Sequence, residues 1–266
     1  MMTVDDRVRC FRIEGLSIEV HPNRRSLGVA AALAAAEAMK QLSASLETFG
    51  VIFATGASQL ETLDALTRMD GIPWNQVRGF HLDEYVGLAI EHRASFRRYL
   101  RENLTQKVHM KEFHEVDGTT ADLDQFCSDY AEMLAAANPN LALLGVGENG
   151  HLAFNDPAVA DFNDPQDVKV VELDSACRAQ QVAEGWFNSV EQVPDSAISV
   201  TIPAILRVPK LILSVPGSRK AAIMRRTLRE KISTDCPASV LRTHPDVTIY
   251  LDRESASELD DFFEPG

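Results

Sequence analysis

Phe49-Gly-Val-Ile-Phe-Ala-Thr-Gly-Ala-Ser-Gln-Leu60 joins two kinds of pattern. Its first half is a continuous apolar run of strand length, as a strand covered on both faces requires. The run ends at Gly56. From Gln59 to Met69, Leu60, Leu63 and Leu66 recur at helical spacing, with Glu61 in the first turn, where the helix dipole favours an acid. A buried strand that feeds a helix through a glycine turn is the unit of a parallel sheet.

The same alternation continues on both sides. Upstream, Ser26 to Ser45 is Ala-rich and reads as a helix. Downstream, Val77-Arg-Gly-Phe-His-Leu82 reads as a strand, Ala94 to Leu104 as amphipathic, and Asp122 to Ala137 as a helix stopped by Asn138-Pro139. Leu141 to Gly145, Leu211 to Val215 and Val247 to Leu251 are further strands; a basic helix from Arg219 to Arg229 follows Gly217, and Asp252 to Phe263 closes the chain. The expected fold is α/β, a single Rossmann-like domain over 1–266 with a mostly parallel sheet covered by helices on both faces. Asp156 to Glu191, with Pro157, Pro165, Gly185 and several acids, is the least regular part and is expected to form a lid.

Twenty-six Lys and Arg against 39 Asp and Glu leave a formal charge of −13. With no local basic run, such a chain repels nucleic acid and anionic membranes, so an anionic ligand must be held by a small pocket. Cys10, Cys127, Cys177 and Cys236 lie far apart, without zinc-site spacing, and read as reduced thiols. The acidic start and the absence of a 20-residue apolar stretch point to a cytoplasmic protein.

In open α/β sheets, ligands bind beyond the carboxyl ends of the strands. Four segments at expected strand ends carry the candidate chemistry. Thr55-Gly56-Ala57-Ser58 supplies a glycine turn, hydroxyls and backbone N–H groups that can cradle a phosphate, or simply caps a helix with Ser58. It matches neither a Walker loop nor a dinucleotide fingerprint. Asp83 and Glu84, adjacent carboxylates after an apolar strand, suit a partly desolvated general base or, alternatively, a cap or ion pair. In Gly145-Val-Gly147-Glu-Asn149-Gly150-His151, the glycines bring backbone close to a ligand, and Asn149 or Asp156 can fix the tautomer of His151. Gly217-Ser-Arg-Lys220 places two cations where a helix begins, although a solvated basic helix would look the same.

Together these segments resemble the glucosamine-6-phosphate deaminase (isomerase) family, in the wider group that includes 6-phosphogluconolactonase. The resemblance runs from about Ser26 to the end. It rests on Asp83-Glu-Tyr-Val-Gly-Leu88 and on Gly145-x-Gly-x-x-Gly-His-x-Ala-Phe-Asn155, where lactonases of the wider group tend to carry Asp-Glu-Arg and Gly-His-x-Ala-Ser-Leu-Phe. It implies conversion of an amino-sugar phosphate to a keto-sugar phosphate with release of ammonia, without metal or organic cofactor. By position, His151 matches the ring-opening histidine and Asp83 the base that moves a proton between C2 and C1. Asn149 and Asp156 stand beside the histidine; Thr55, Gly56, Ala57, Ser58, Glu84, Gly147, Lys220 and Arg178 fall among the substrate-binding positions. The partner implied is a small sugar phosphate, with no nucleic acid and no membrane, and a homo-oligomer is left open.

The chain departs from the family pattern in three places. Asn149 stands where many deaminases have aspartate, and Asp156 where they have glutamate. The lid arginine of an Asn-x-Arg-Phe-Phe run has no counterpart in Cys177-Arg-Ala-Gln-Gln-Val-Ala-Glu-Gly-Trp-Phe187, and Arg178 matches a different family arginine. Because the serines and basic residues of the regulated members' effector site are not evident at 157–168, a non-allosteric enzyme is expected, or one acting on another sugar phosphate. The alternatives are a lactonase-like hydrolase, in which His151 activates water, and a sugar-phosphate sensor without turnover.

Overall fold

The computed structural model describes residues 8–259; the N-terminal residues read for a leader, and the last residues of Asp252–Phe263, lie outside them. A hairpin opens the fold, β1 (Arg9–Ile13) and β2 (Leu16–His21). Helix α1 (Arg24–Ser43) follows, started by a reciprocal cap between Asn23 and Ser26. Next come β3 (Phe49–Phe53), α2 (Leu60–Thr67), β4 (Val77–His81), the short β5 (Asp83–Tyr85), α3 (Phe96–Leu100) and β6 (Glu112–His114). Helix α4 (Leu123–Ala137) ends on Asn138 at φ 42°, in the left-handed region that asparagine tolerates, and leads into β7 (Leu141–Leu144). The chain continues through β8 (Val168–Glu172), α5 (Ser175–Ala183), β9 (Ser196–Val200), α6 (Ile202–Leu206), β10 (Lys210–Val215), α7 (Ala221–Arg229) and β11 (Val247–Asp252).

The main sheet runs β1-β2-β11-β10-β7-β3-β4-β6, parallel throughout except for β1 at one edge. Its central strands are buried on both faces. Val51 and Phe53 of β3, with Leu141 and Leu143 of β7, pack under α1 and α2. Ile52 of β3 and Ala142 and Leu144 of β7 join the opposite core, which takes in α4, α6 and α7. At ~25 cal/mol per Å² of apolar surface, each such large side chain contributes about 1.5–3 kcal/mol. Strand order reverses between β3 and β7, so the loops after them part there and open a crevice.

A second, three-stranded antiparallel sheet, β5-β9-β8, stands beside the first and was not expected. Its own core is aromatic: Tyr85 lies 5.0 to 5.5 Å, ring centre to ring centre, from Phe96, Phe154 and Phe187. The segment Asp156–Glu191, expected to be irregular, supplies β8 and α5 to this unit, and Asp156 itself is fully buried. The hairpin β1–β2 was also missed, although Leu16-Ser-Ile-Glu-Val20 alternates at the strand period. No helix among the described residues is long and apolar enough to cross a membrane.

Candidate active site

The crevice between β3 and β7 deepens into a cavity of about 260 Å³. Thr55, Gly56, Ala57 and Ser58 form one wall, Asp83 and Gly147 with His151 the floor, and Lys220 the side nearest α7. Each follows a strand of the main sheet, so the parallel sheet itself brings together residues 165 positions apart.

The Thr55–Ser58 loop turns on Gly56, whose φ of +91° would strain any side-chain-bearing residue. The Tyr99 hydroxyl donates to the Gly56 carbonyl at 3.0 Å, and Arg24 to that of Ala57. Gln59 reaches across to the Leu144 carbonyl at 2.8 Å and ties the loop to the end of β7. With two carbonyls engaged from outside, the loop and the start of α2 form a ready anion cradle. Lys220 sits in the single turn Ser218–Lys220 ahead of α7, only 9% exposed. Burial lowers the pKa of its ammonium, and the carboxylates of Glu184 and Glu148 partly restore it. A cation so poorly hydrated attracts an anion more strongly than one in water.

Asp83 begins β5, buried, with Oδ1 lacking any hydrogen-bond partner. Burial pushes its pKa well above the usual carboxylate range, and the neighbouring Glu84 charge pushes the same way. His151 is held from behind. Its Nδ1 lies 2.8 Å from Asp156 Oδ1, which also accepts from Asn149 Nδ2 at 2.7 Å, while the His151 amide donates to Asn149 Oδ1 at 3.0 Å. Burial alone would raise the pKa of Asp156, but the bonds from His151 and Asn149 outweigh it and hold the group below its ordinary value. An ionised Asp156 keeps the proton on Nδ1 and leaves Nε2 as the acceptor toward the cavity. Gly147 is required there: a Cβ at that position would stand 2.2 Å from His151 Nε2.

Two expected substrate-binding residues do not line the cavity. Glu84 is fully buried on the other side of β5, where it accepts from the Ser95 hydroxyl (2.9 Å) and the amides of Tyr85, Phe96 and Arg97 (3.0, 3.1 and 2.8 Å) and so anchors the start of α3. Arg178 turns away, donating to the Val190 and Val193 carbonyls (2.8 and 3.0 Å) and pairing with Asp195 at 2.8 Å. Asn149 and Asp156 do not line the cavity either and contact His151 from behind. Arg219, the other cation of the Gly217–Lys220 turn, lines the cavity beside Lys220, and Arg24, Gln180, Gln181 and Glu184 line it unannounced. Spacing of i, i+1 and i+4 would have exposed Gln180, Gln181 and the cap residue Glu184 had that segment been read as a helix. Arg24, more than thirty residues from the nearest motif, carries no such signal.

Fold and cavity define a Rossmann-like α/β protein with a buried carboxylate and an imidazole facing a glycine-turn loop and a lysine at the switch of strand order. Residues 22–250 match the model of the glucosamine-6-phosphate isomerases/6-phosphogluconolactonase family, and the chain belongs to that family. It is 35% identical over 204 residues to a glucosamine-6-phosphate deaminase of Bacillus cereus (strain B4264), covering 77% of this chain and 76% of that one. With the enzyme of that name from Listeria monocytogenes serotype 4a (strain HCC23), identity is 37% over 217 residues, 82% and 89% of the two chains. A solved monomeric glucosamine-6-phosphate deaminase superposes with a TM-score of 0.82 at 28% identity, over 91% of this chain and 99% of the other.

Proposed function

We propose that this chain is an enzyme of amino-sugar metabolism that converts glucosamine 6-phosphate, or a close hexosamine phosphate, and water to fructose 6-phosphate and ammonia. The observation that carries the reading is the pairing, in one cavity, of an unpartnered buried carboxylate with a carboxylate-backed imidazole, opposite a loop and a lysine suited to phosphate.

Phosphate lies against Thr55–Ser58 and Lys220, which places the sugar ring over Asp83 and His151. His151 Nε2 takes the proton of the anomeric hydroxyl and returns it to the ring oxygen as the C1–O5 bond breaks, giving the open-chain aldehyde. Asp83 then removes the C2 proton while a proton of the substrate's C2 ammonium passes to O1, giving the C1–C2 enolamine, and Asp83 returns its proton to C1 to leave the C2 iminium. Its raised proton affinity makes it a stronger base than an exposed aspartate once it is ionised. The resulting C2 iminium adds water and expels ammonia, leaving the ketose phosphate. Asn149 and Asp156 position His151 and touch no substrate. The family match, the identity to named deaminases over most of the chain and the Asp-Glu-Tyr sequence at 83–85 support this reaction over lactone hydrolysis.

A coupled assay for ammonia and fructose 6-phosphate, run beside acid release from 6-phosphogluconolactone, tests the reading. Ammonia and ketose phosphate in equal amounts are expected, with Asp83→Asn at least ~10²-fold slower. Lactone hydrolysis without ammonia release would overturn it.

A further inference from the structure

Behind the cavity, three side chains from separate segments meet without a ligand role so far: His151 from the glycine-rich loop, Asp156 just beyond it, and Cys177 from the first turn of α5. One ligand atom from each lies within 4.8 Å of the others. Asp156 and Cys177 are essentially solvent-free, at 0% and 1% exposure. Asp156 spends Oδ1 on His151 and Asn149; its buried Oδ2 has no nitrogen or oxygen donor, and the Cys177 thiol interacts with the carboxylate. A thiol, an imidazole and a buried carboxylate oxygen with a free lone pair form a donor set suited to a borderline-soft divalent cation.

We propose that His151, Asp156 and Cys177 form a zinc site at which Zn²⁺ binds with the thiolate, a carboxylate oxygen and an imidazole nitrogen, and thereby switches the enzyme off. Donors 2.0–2.3 Å from one tetrahedral ion lie roughly 3.3–3.7 Å apart, so the widest pair closes by about 1 Å on binding. The fourth position is left to water. Cys177 gives up its proton to solvent as the S–Zn bond forms, so binding strengthens as pH rises. His151 is taken through Nδ1, whose proton moves to Nε2 as the ring changes tautomer. Nε2 then carries hydrogen instead of a lone pair and cannot accept the hydroxyl proton of a sugar. Asn149 on Oδ1 supplies the outer contact that orients Asp156 toward the ion. The loss of activity rests on the deaminase reading; the site does not, and the deciding measurement reads binding alone.

Co²⁺ added to the full-length protein without substrate is the probe. One equivalent should raise a thiolate-to-cobalt charge-transfer band that Zn²⁺ abolishes and Cys177→Ser lacks, with at least about tenfold weaker zinc affinity in that variant by chelator competition. X-ray absorption on the zinc-loaded wild type should show one sulfur at about 2.3 Å beside nitrogen and oxygen donors. No band in the wild type, an undiminished band in Cys177→Ser, or a zinc shell without sulfur each overturns the proposal, the last even if the variant fails to fold.

Discussion

Asp83 carries a conflict between stability and chemistry. Its folded pKa lies above the unfolded one, so the native state binds the extra proton and stability is lost as pH rises through the carboxylate range. Asparagine has no charge to desolvate. Asp83→Asn should therefore lose turnover yet melt higher than the parent at pH 8, with the gap closing toward pH 4; equal melting temperatures at pH 8 would show that the site tolerates the charge without cost. Lys220 offers a different test. An ammonium to a phosphate oxygen is worth about 1.5–3 kcal/mol, so Lys220→Ala should raise KM about 10–100-fold with a smaller change in kcat. An unchanged KM would move the phosphate elsewhere.

The short strand β5 does two jobs because successive side chains point to opposite faces. Asp83 meets the cavity, while Glu84 gathers four donors at the head of α3. Burial raises the pKa of Glu84 in spite of the bonds it accepts, so the cost of Glu84→Gln lies in turning one acceptor toward those amides into a donor. The substitution should cost about 1–3 kcal/mol in urea unfolding while slowing turnover far less than Asp83→Asn. A variant as stable as the parent and as slow as Asp83→Asn would assign Glu84 to the chemistry. Helix α5 brings Gln180 and Gln181 to the cavity, and Glu184, the residue that ends it, lines the cavity as well. The cation beside the Thr55–Ser58 loop here is Arg24, from the start of α1, which pairs with Glu61 at 2.5 Å.

The chain carries a formal charge of −13, yet its cavity is lined by Arg24, Arg219 and Lys220 as well as by Asp83, Glu184 and Glu254. Three cores hold it, one on each face of the main sheet and one under the small sheet. His81 sits fully buried where β4 ends, accepting from the Val116 amide at 3.3 Å. Burial, with the charge of Arg97, lowers its pKa to about 3. The unfolded chain takes up this proton near pH 6.5 and the native state does not, so stability falls below that pH by about 1.4 kcal/mol per unit. Near pH 4.5 the loss from this one imidazole reaches about 2.7 kcal/mol. His81→Gln, which cannot charge, should flatten the urea-unfolding free energy between pH 6.5 and 4.5; parallel curves for the two proteins would clear His81 of acid sensitivity.

The central strands were legible as apolar runs because a strand buried on both faces has no polar side to interrupt it. Asp83, His151 and Lys220 were legible as candidates because acids, glycines and cations stood at the ends of such runs. The small sheet was not, since β5 and β8 mix charges with apolar residues and acquire their strand form only by pairing with β9. Nor could adjacency say which of Asp83 and Glu84 meets the cavity: a strand sends neighbours to opposite faces, and only packing shows which face is open. Arg178 shows the same limit, because its guanidinium is drawn off by two carbonyls and Asp195, partners 12 to 17 residues away that the folding of 190–195 brings within reach. Residue type and strand-end position depend on local pattern; the direction of a long side chain depends on which partners the fold places beside it.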